Sequence, residues 1–156
     1  MTGSRNYFET AAPQWDSLRK GFFSEAVREK AFGAARVLPG RIAADIGAGS
    51  GFVTEGLLQR GLRVIAVDRS EAMIAEMRKK FGTDAAVDYR IGEAESLPLP
   101  DESVDYAFGN MYLHHVESPA AAIREMARIL RPGGRLVITD LDRHEFDFLR
   151  TEHCDR

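Results

Sequence analysis

Five short apolar runs, each separated from the next by a helical pattern or a crossover, predict a three-layer α/β fold with a parallel, doubly wound sheet. Right-handed crossovers give such a sheet the order 3-2-1-4-5. A turn holding three glycines joins the first run to a helix, and an acid closes the second run about twenty residues past the first glycine, where this winding places one. The 156 residues leave room for one domain, 1–156.

The glycine turn organises the rest. Residues 41–46 read as a buried strand, and Phe52, Val53 and Leu57 set the period of a helix that stops at Gly61. Between them, Gly47-x-Gly49-x-Gly51 lets a ligand approach the backbone, and the helix start offers unpaired N–H groups. The dinucleotide fingerprint has two residues before its third glycine; position 52 is Phe52, so that pattern is not met. Asp45, ahead of the turn, repels a pyrophosphate and suits a ligand carrying an ammonium and a sulfonium. A turn that needs glycine only for packing is the other reading.

Ahead of the first strand, residues 7–38 carry Tyr7, Phe8, Trp15, Phe22, Phe23, Val27 and Phe32 at roughly helical spacing, closed by Pro39-Gly40. So aromatic a segment covers something, in the simplest case one face of the sheet. After the turn, residues 62–67 are the second strand and Asp68 ends it, placed to accept both hydroxyls of a ribose. Asp68-Arg69-Ser70-Glu71 also reads as a helix start with Ser70 as N-cap. Ile74, Met77 and Phe81 then bury one side of a helix that Gly82 ends. Residues 86–91 are the third strand, 92–101 a proline-stiffened loop, and 103–109 the fourth strand. A helix capped by Ser118, with Pro119 at its first position, repeats apolar residues at Ile123, Met126 and Leu130, and 136–139 form the fifth strand.

Four stretches resemble one family. Asp45-Ile46-Gly47-Ala48-Gly49-Ser50-Gly51 resembles motif I of the class I S-adenosylmethionine-dependent methyltransferases. The loop from Gly92 to Asp101 is similar to the family's Gly-Asp-Ala-Glu-x-Leu-Pro-Phe-Pro-Asp, with Glu93 in place of Asp and Leu99 in place of Phe. Leu113-His114-His115-Val116 and Leu130-Arg131-Pro132-Gly133-Gly134 extend the match to the fifth strand. The resemblance implies a Rossmann-like fold, S-adenosylmethionine as cofactor with S-adenosylhomocysteine as product, and a small-molecule methyl acceptor. It implies cofactor contacts at Asp45, Gly47, Ala48, Gly49, Gly51, Asp68, Arg69, Glu93, Ala94 and Asn110, with Glu93 accepting from the adenine amino group and the Ala94 N–H facing a ring nitrogen. It also makes 7–38 a lid segment over a 41–141 core.

No residue is assigned to catalysis. His114 and His115 lie nearest the tip of the fourth strand, either as a general base or hydrogen-bonded to backbone. His144, His153 and Cys154 lack a structural-zinc spacing, so no metal is expected. A net charge of −3 without a basic stripe speaks against nucleic acid as the main partner. One cysteine excludes a disulfide framework, and no apolar run reaches the length of a signal or membrane segment, so no membrane is expected and the cytoplasm is the expected compartment. In the family two more strands follow the fifth; here 142–156 make at most a terminal helix. That leaves an unpaired edge, and either a truncated chain or a homo-oligomer formed through the fifth strand or the terminal helix. The rivals are a cofactor-binding module without turnover and an NAD oxidoreductase.

Overall fold

The computed structural model of the chain describes residues 25–110 and 116–139. In chain order they form α1 (Glu25–Ala35), β1 (Ile42–Ile46), α2 (Phe52–Gln59), β2 (Arg63–Asp68), α3 (Glu71–Phe81), β3 (Val87–Ile91), β4 (Val104–Asn110), α4 (Pro119–Arg128) and β5 (Leu130–Thr139). The five strands make one parallel sheet in the order β3-β2-β1-β4-β5, as the spacing of the apolar runs predicts.

Successive strand residues face opposite sides, and the two faces are covered by different helices. Ala43, Val64, Tyr106 and Phe108 pack with Phe32 and Ala35 of α1 and with Val53 and Leu57 of α2. Ala44, Ile46, Val67 and Ala107 pack on the other side with Ala122 and Met126 of α4 and with Ile129. Ala66 receives Ile74 and Met77 of α3. Alanines at the centre of the sheet bring the helices close, and the larger side chains fill the space around them.

Local signals set the helix ends. Gly61, at φ 82°, closes α2: its N–H donates to Leu58 C=O, and the next N–H, of Leu62, reaches back to Leu57 C=O. The Ser70 hydroxyl accepts from Met73 N–H at the start of α3, and the Ser118 hydroxyl from Ala121 N–H at the start of α4.

One boundary differs from the sequence reading. The fifth strand begins at Leu130, not at residue 136, because Leu130 already pairs with Val104 before pairing resumes with Arg135 opposite Tyr106. The residues between make an irregular excursion with Gly133 at φ 83°. A Cβ on Gly134 would lie 2.9 Å from the carbonyl oxygens of Arg131 and Asp105, so the glycine is required by a close backbone approach.

The described end of the aromatic N-terminal segment is core. Phe32 is fully buried and meets Phe108 edge-on, with ring centroids 5.6 Å apart. Tyr7, Phe8 and Trp15, the residues of the expected lid, lie outside the described residues, as does the terminal segment 142–156. Among the described residues no strand pairs with the outer edge of β5, and no helix is long and apolar enough to cross a membrane.

Candidate cofactor site

The site is built where β1 and β2 end side by side. Gly47, Gly49 and Gly51 take φ of 69°, 62° and 101°, the left-handed region that glycine enters without strain. Gly51 is also the N-cap of α2, and a Cβ there would lie 2.6 Å from the Phe81 ring. The three glycines are thus demanded by backbone conformation, and at Gly51 by the packing of α3 as well.

Ahead of α2, most N–H groups of the turn itself are paired within the protein. Gly47 and Ala48 both donate to Val67 C=O, Gly51 donates to Ala48 C=O, and Gly49 donates to Asp68 Oδ2 at 2.8 Å. Parallel strands ending together explain this: the last carbonyls of β2 meet the first N–H groups past β1. What the turn offers a ligand here is close approach to backbone without side chains.

Asp68 is the link between the turn and the second strand. Its Oδ2 holds Gly49 N–H and its Oδ1 holds Ser70 N–H at 2.9 Å, while the residue is only 8% exposed. The helix-start reading of this stretch holds, with Ser70 as the cap and Asp68 bound to its N–H. Asp45, 1% exposed in β1, accepts from the Thr54 hydroxyl of α2 at 2.7 Å. That bond ties the end of β1 to the first turn of α2.

The loop after β3 comes alongside. Gly92 N–H donates to Asp68 C=O, so the loop starts at the tip of β2. Glu93 stands with its carboxylate 3.8 Å from Arg69 Nη1, its side chain 45% exposed against 10% for Arg69. Arg69 Nη2 is buried without a hydrogen-bond partner, an orphan donor next to the expected adenine contacts. Ala94 is buried. Asn110 ends β4, paired with Thr139 of β5. The structure thus brings Asp45, the glycines, Asp68, Arg69, Glu93 and Ala94 to one end of the sheet. His114, His115, His144, His153 and Cys154 fall outside the described residues, and among those described no group of His, Cys, Asp or Glu is suited to a metal.

Arg28 was missed. It is 4% exposed, donates to Phe52 C=O at 2.9 Å and to Glu55 at 3.4 Å, and lies over the Phe52 ring at 4.5 Å. A guanidinium buried on the first residue of α2 braces the helix just past the glycine turn. Gly56 was the available signal: any Cβ there would lie 2.6 Å from Arg28 Nε, and a glycine inside a helix marks such close approach. A groove of about 420 Å³, lined by Arg36, Arg41, Asp105 and Arg135, lies at the opposite ends of the strands and takes no part in this site.

Fold and site together define a doubly wound domain of the nucleotide-cofactor type, with its site at the carboxyl ends of the first two strands. The chain belongs to the methyltransferase domain family, whose model matches residues 44–138, and with it to the class I S-adenosylmethionine-dependent methyltransferases. S-adenosylmethionine is the cofactor that this membership brings, and the acids and glycines present fit it. The chain is 35% identical over 160 residues to an uncharacterized 37.1 kDa protein in a transposon of Streptomyces fradiae, covering 97% of this chain and 45% of that protein. It is 31% identical over 134 residues to the malonyl-[acyl-carrier protein] O-methyltransferase of Serratia marcescens, covering 86% of this chain and 51% of that enzyme. The chain therefore spans about half the length of these relatives. Among solved structures, the [4+2]-cyclase SpnF superposes with a TM-score of 0.68 at 26% identity, over 74% of this chain and 44% of that one.

Proposed function

We propose that the protein transfers a methyl group from S-adenosylmethionine to a small-molecule acceptor. The observation that carries this is the join of the two strand tips: Asp68 stands beside a glycine turn that its own carboxylate holds in place. Asp45, Gly47, Ala48, Gly49, Gly51, Asp68, Arg69, Glu93, Ala94 and Asn110 hold the cofactor in this reading. Asp68, held at the turn by Gly49 and Ser70, takes the ribose hydroxyls, Glu93 and Arg69 meet the base, and the charge of Asp45 favours the cationic end. S-adenosylmethionine supplies an electrophilic methyl on a sulfonium. The protein's part is to align the acceptor in line with it and exclude water.

The acceptor is bound by segments beyond the sheet described here. A relative named for a malonyl-carrier acceptor supports a carboxylate among the candidate classes. A second reading, a cofactor-binding domain without methyl transfer, is favoured by the likeness to a protein named as a [4+2]-cyclase. Thermal melts with S-adenosylmethionine, S-adenosylhomocysteine and NAD added separately test the cofactor, since a ligand at a hundred times its Kd adds about 2.7 kcal/mol. Stabilisation by NAD alone refutes the reading. S-adenosylhomocysteine release with a panel of hydroxyl, amine and carboxylate acceptors then separates the enzyme from the silent module.

Among the described residues no strand pairs with the outer edge of β5, and we propose that a second copy of this chain covers it wherever this protein's own further residues do not, because an open edge is a template for strand pairing. Light scattering at micromolar concentration is expected to show a dimer or larger species. A strict monomer with fast amide exchange at Leu136, Val137 and Ile138 overturns it.

A further inference from the structure

We propose that Glu125 and Arg128 of α4 are positioning residues for the cofactor's base, holding residues 92–97 so that Glu93 and Ala94 meet it. The inference rests on the cofactor reading of those two residues. The segment is tied at both ends and spans the site between. At one end Gly92 N–H donates to Asp68 C=O at 3.1 Å. At the other, both peptide groups of Leu97 are held by one side-chain pair: its N–H donates to Glu125 Oε1 at 2.8 Å, and its C=O accepts from Arg128 Nη2 at 3.2 Å. Between the ties the chain closes on itself through Ser96 N–H and Glu93 C=O, at 3.1 Å.

The pair is itself rigid. Arg128 forks onto Glu125, with Nε to Oε2 at 2.8 Å and Nη2 to Oε1 at 2.9 Å, and its Nη1 reaches Asp101, the last residue of the loop, at 2.7 Å. Two parallel bonds between planar groups fix orientation as well as distance. The same bonds from Arg128 hold the Glu125 carboxyl below its ordinary range, so the pair stays charged at neutral pH. Glu95 adds a third tie, its Oε2 accepting from the N–H groups of Glu117 and Ser118 at 3.1 and 3.3 Å, where α4 begins.

Apolar packing alone does not do this. Leu97 and Leu99 are each 5% exposed and anchor the loop in the core with Met126, which sets its depth. Burial has no direction, whereas rotation of the Leu97 peptide would tilt the closed turn and swing the Glu93 carboxylate. The polar pair removes that freedom.

The test compares S-adenosylhomocysteine with S-inosylhomocysteine, which carries a carbonyl where adenine has its amino group, by calorimetry alongside the melting midpoint of each variant. The parent is expected to favour the adenine compound about tenfold or more, because a bond to a charged acceptor is lost in the other. Arg128→Lys, which keeps the charge and loses the fork, is expected to cut the preference to about threefold or less. Glu125→Gln, which keeps an oxygen for Leu97 N–H, retains most of it, and Glu125→Met, which does not, behaves like Arg128→Lys and replaces it should the lysine variant be too unstable to titrate. A lower melting midpoint with an unchanged preference overturns the proposal and leaves the pair a structural tie. Glu93→Ala tells the two ideas apart. If it leaves the preference as in the parent, the base-facing reading of Glu93 fails and the proposal with it; if it abolishes the preference while Arg128→Lys does not, the proposal alone fails.

Discussion

Asp68→Ala is expected to weaken S-adenosylmethionine binding by about 2–4 kcal/mol, through loss of two hydrogen bonds to a charged acceptor. The structure adds a second consequence. The same carboxylate holds Gly49 N–H at 2.8 Å and Ser70 N–H at 2.9 Å, so alanine strands two backbone donors in a site that is 8% exposed. Each such donor costs about 1–3 kcal/mol unless water reaches it, and the melting midpoint is expected to fall as well. Asp68→Asn keeps one acceptor oxygen and turns an amide N–H₂ toward the other donor, so its loss is expected to be smaller and still measurable. Calorimetry of the folded fraction separates the effects. Binding by the alanine variant within twofold of the parent would mean that the acid only ties the turn to α3.

Gly49→Val is expected to abolish binding, because its side chain occupies the face where backbone meets ligand. It is not expected to leave the fold untouched. At φ 62° a β-branched residue is an outlier, and the left-handed conformation costs about 1–2 kcal/mol. A control with the same strain and no ligand nearby is therefore needed, and Gly40 provides it. Its φ is 83°, and an added Cβ meets nothing within 4 Å. Gly40→Val is expected to lower the melting midpoint by a similar amount while binding S-adenosylmethionine like the parent. If Gly49→Val binds as well as Gly40→Val does, the glycine turn is a packing device and the cofactor lies elsewhere.

Much of this is legible in the amino-acid sequence. Glycine at 47, 49 and 51, an acid at 68 and serines at 70 and 118 are short-range signals, each decided by the residue and its immediate neighbours. The strand order followed from crossover handedness, and four of the five strands lie within a residue or so of where periodicity put them. The fifth was misjudged at its start because Arg131-Pro132-Gly133-Gly134 has the composition of a turn. Pairing of Leu130 with Val104 on a neighbouring strand overrode that composition.

What the sequence by itself determined was thus the parallel five-stranded fold and the cofactor that goes with its family, since periodicity, turns and motif spacing are all written locally. The tertiary structure alone decided how the turn's donors are spent. Gly47 and Ala48 give theirs to Val67, a residue far along the chain that only strand pairing brings near. It alone buried Arg28 on Phe52, 24 residues away, and joined Leu97 to Glu125 and Arg128, 28 and 31 residues on. In sequence those arginines and that glutamate look like ordinary charges on solvated helix faces. Whether a charge is solvated or placed depends on which backbone groups lie opposite it, and that is fixed only when the elements pack.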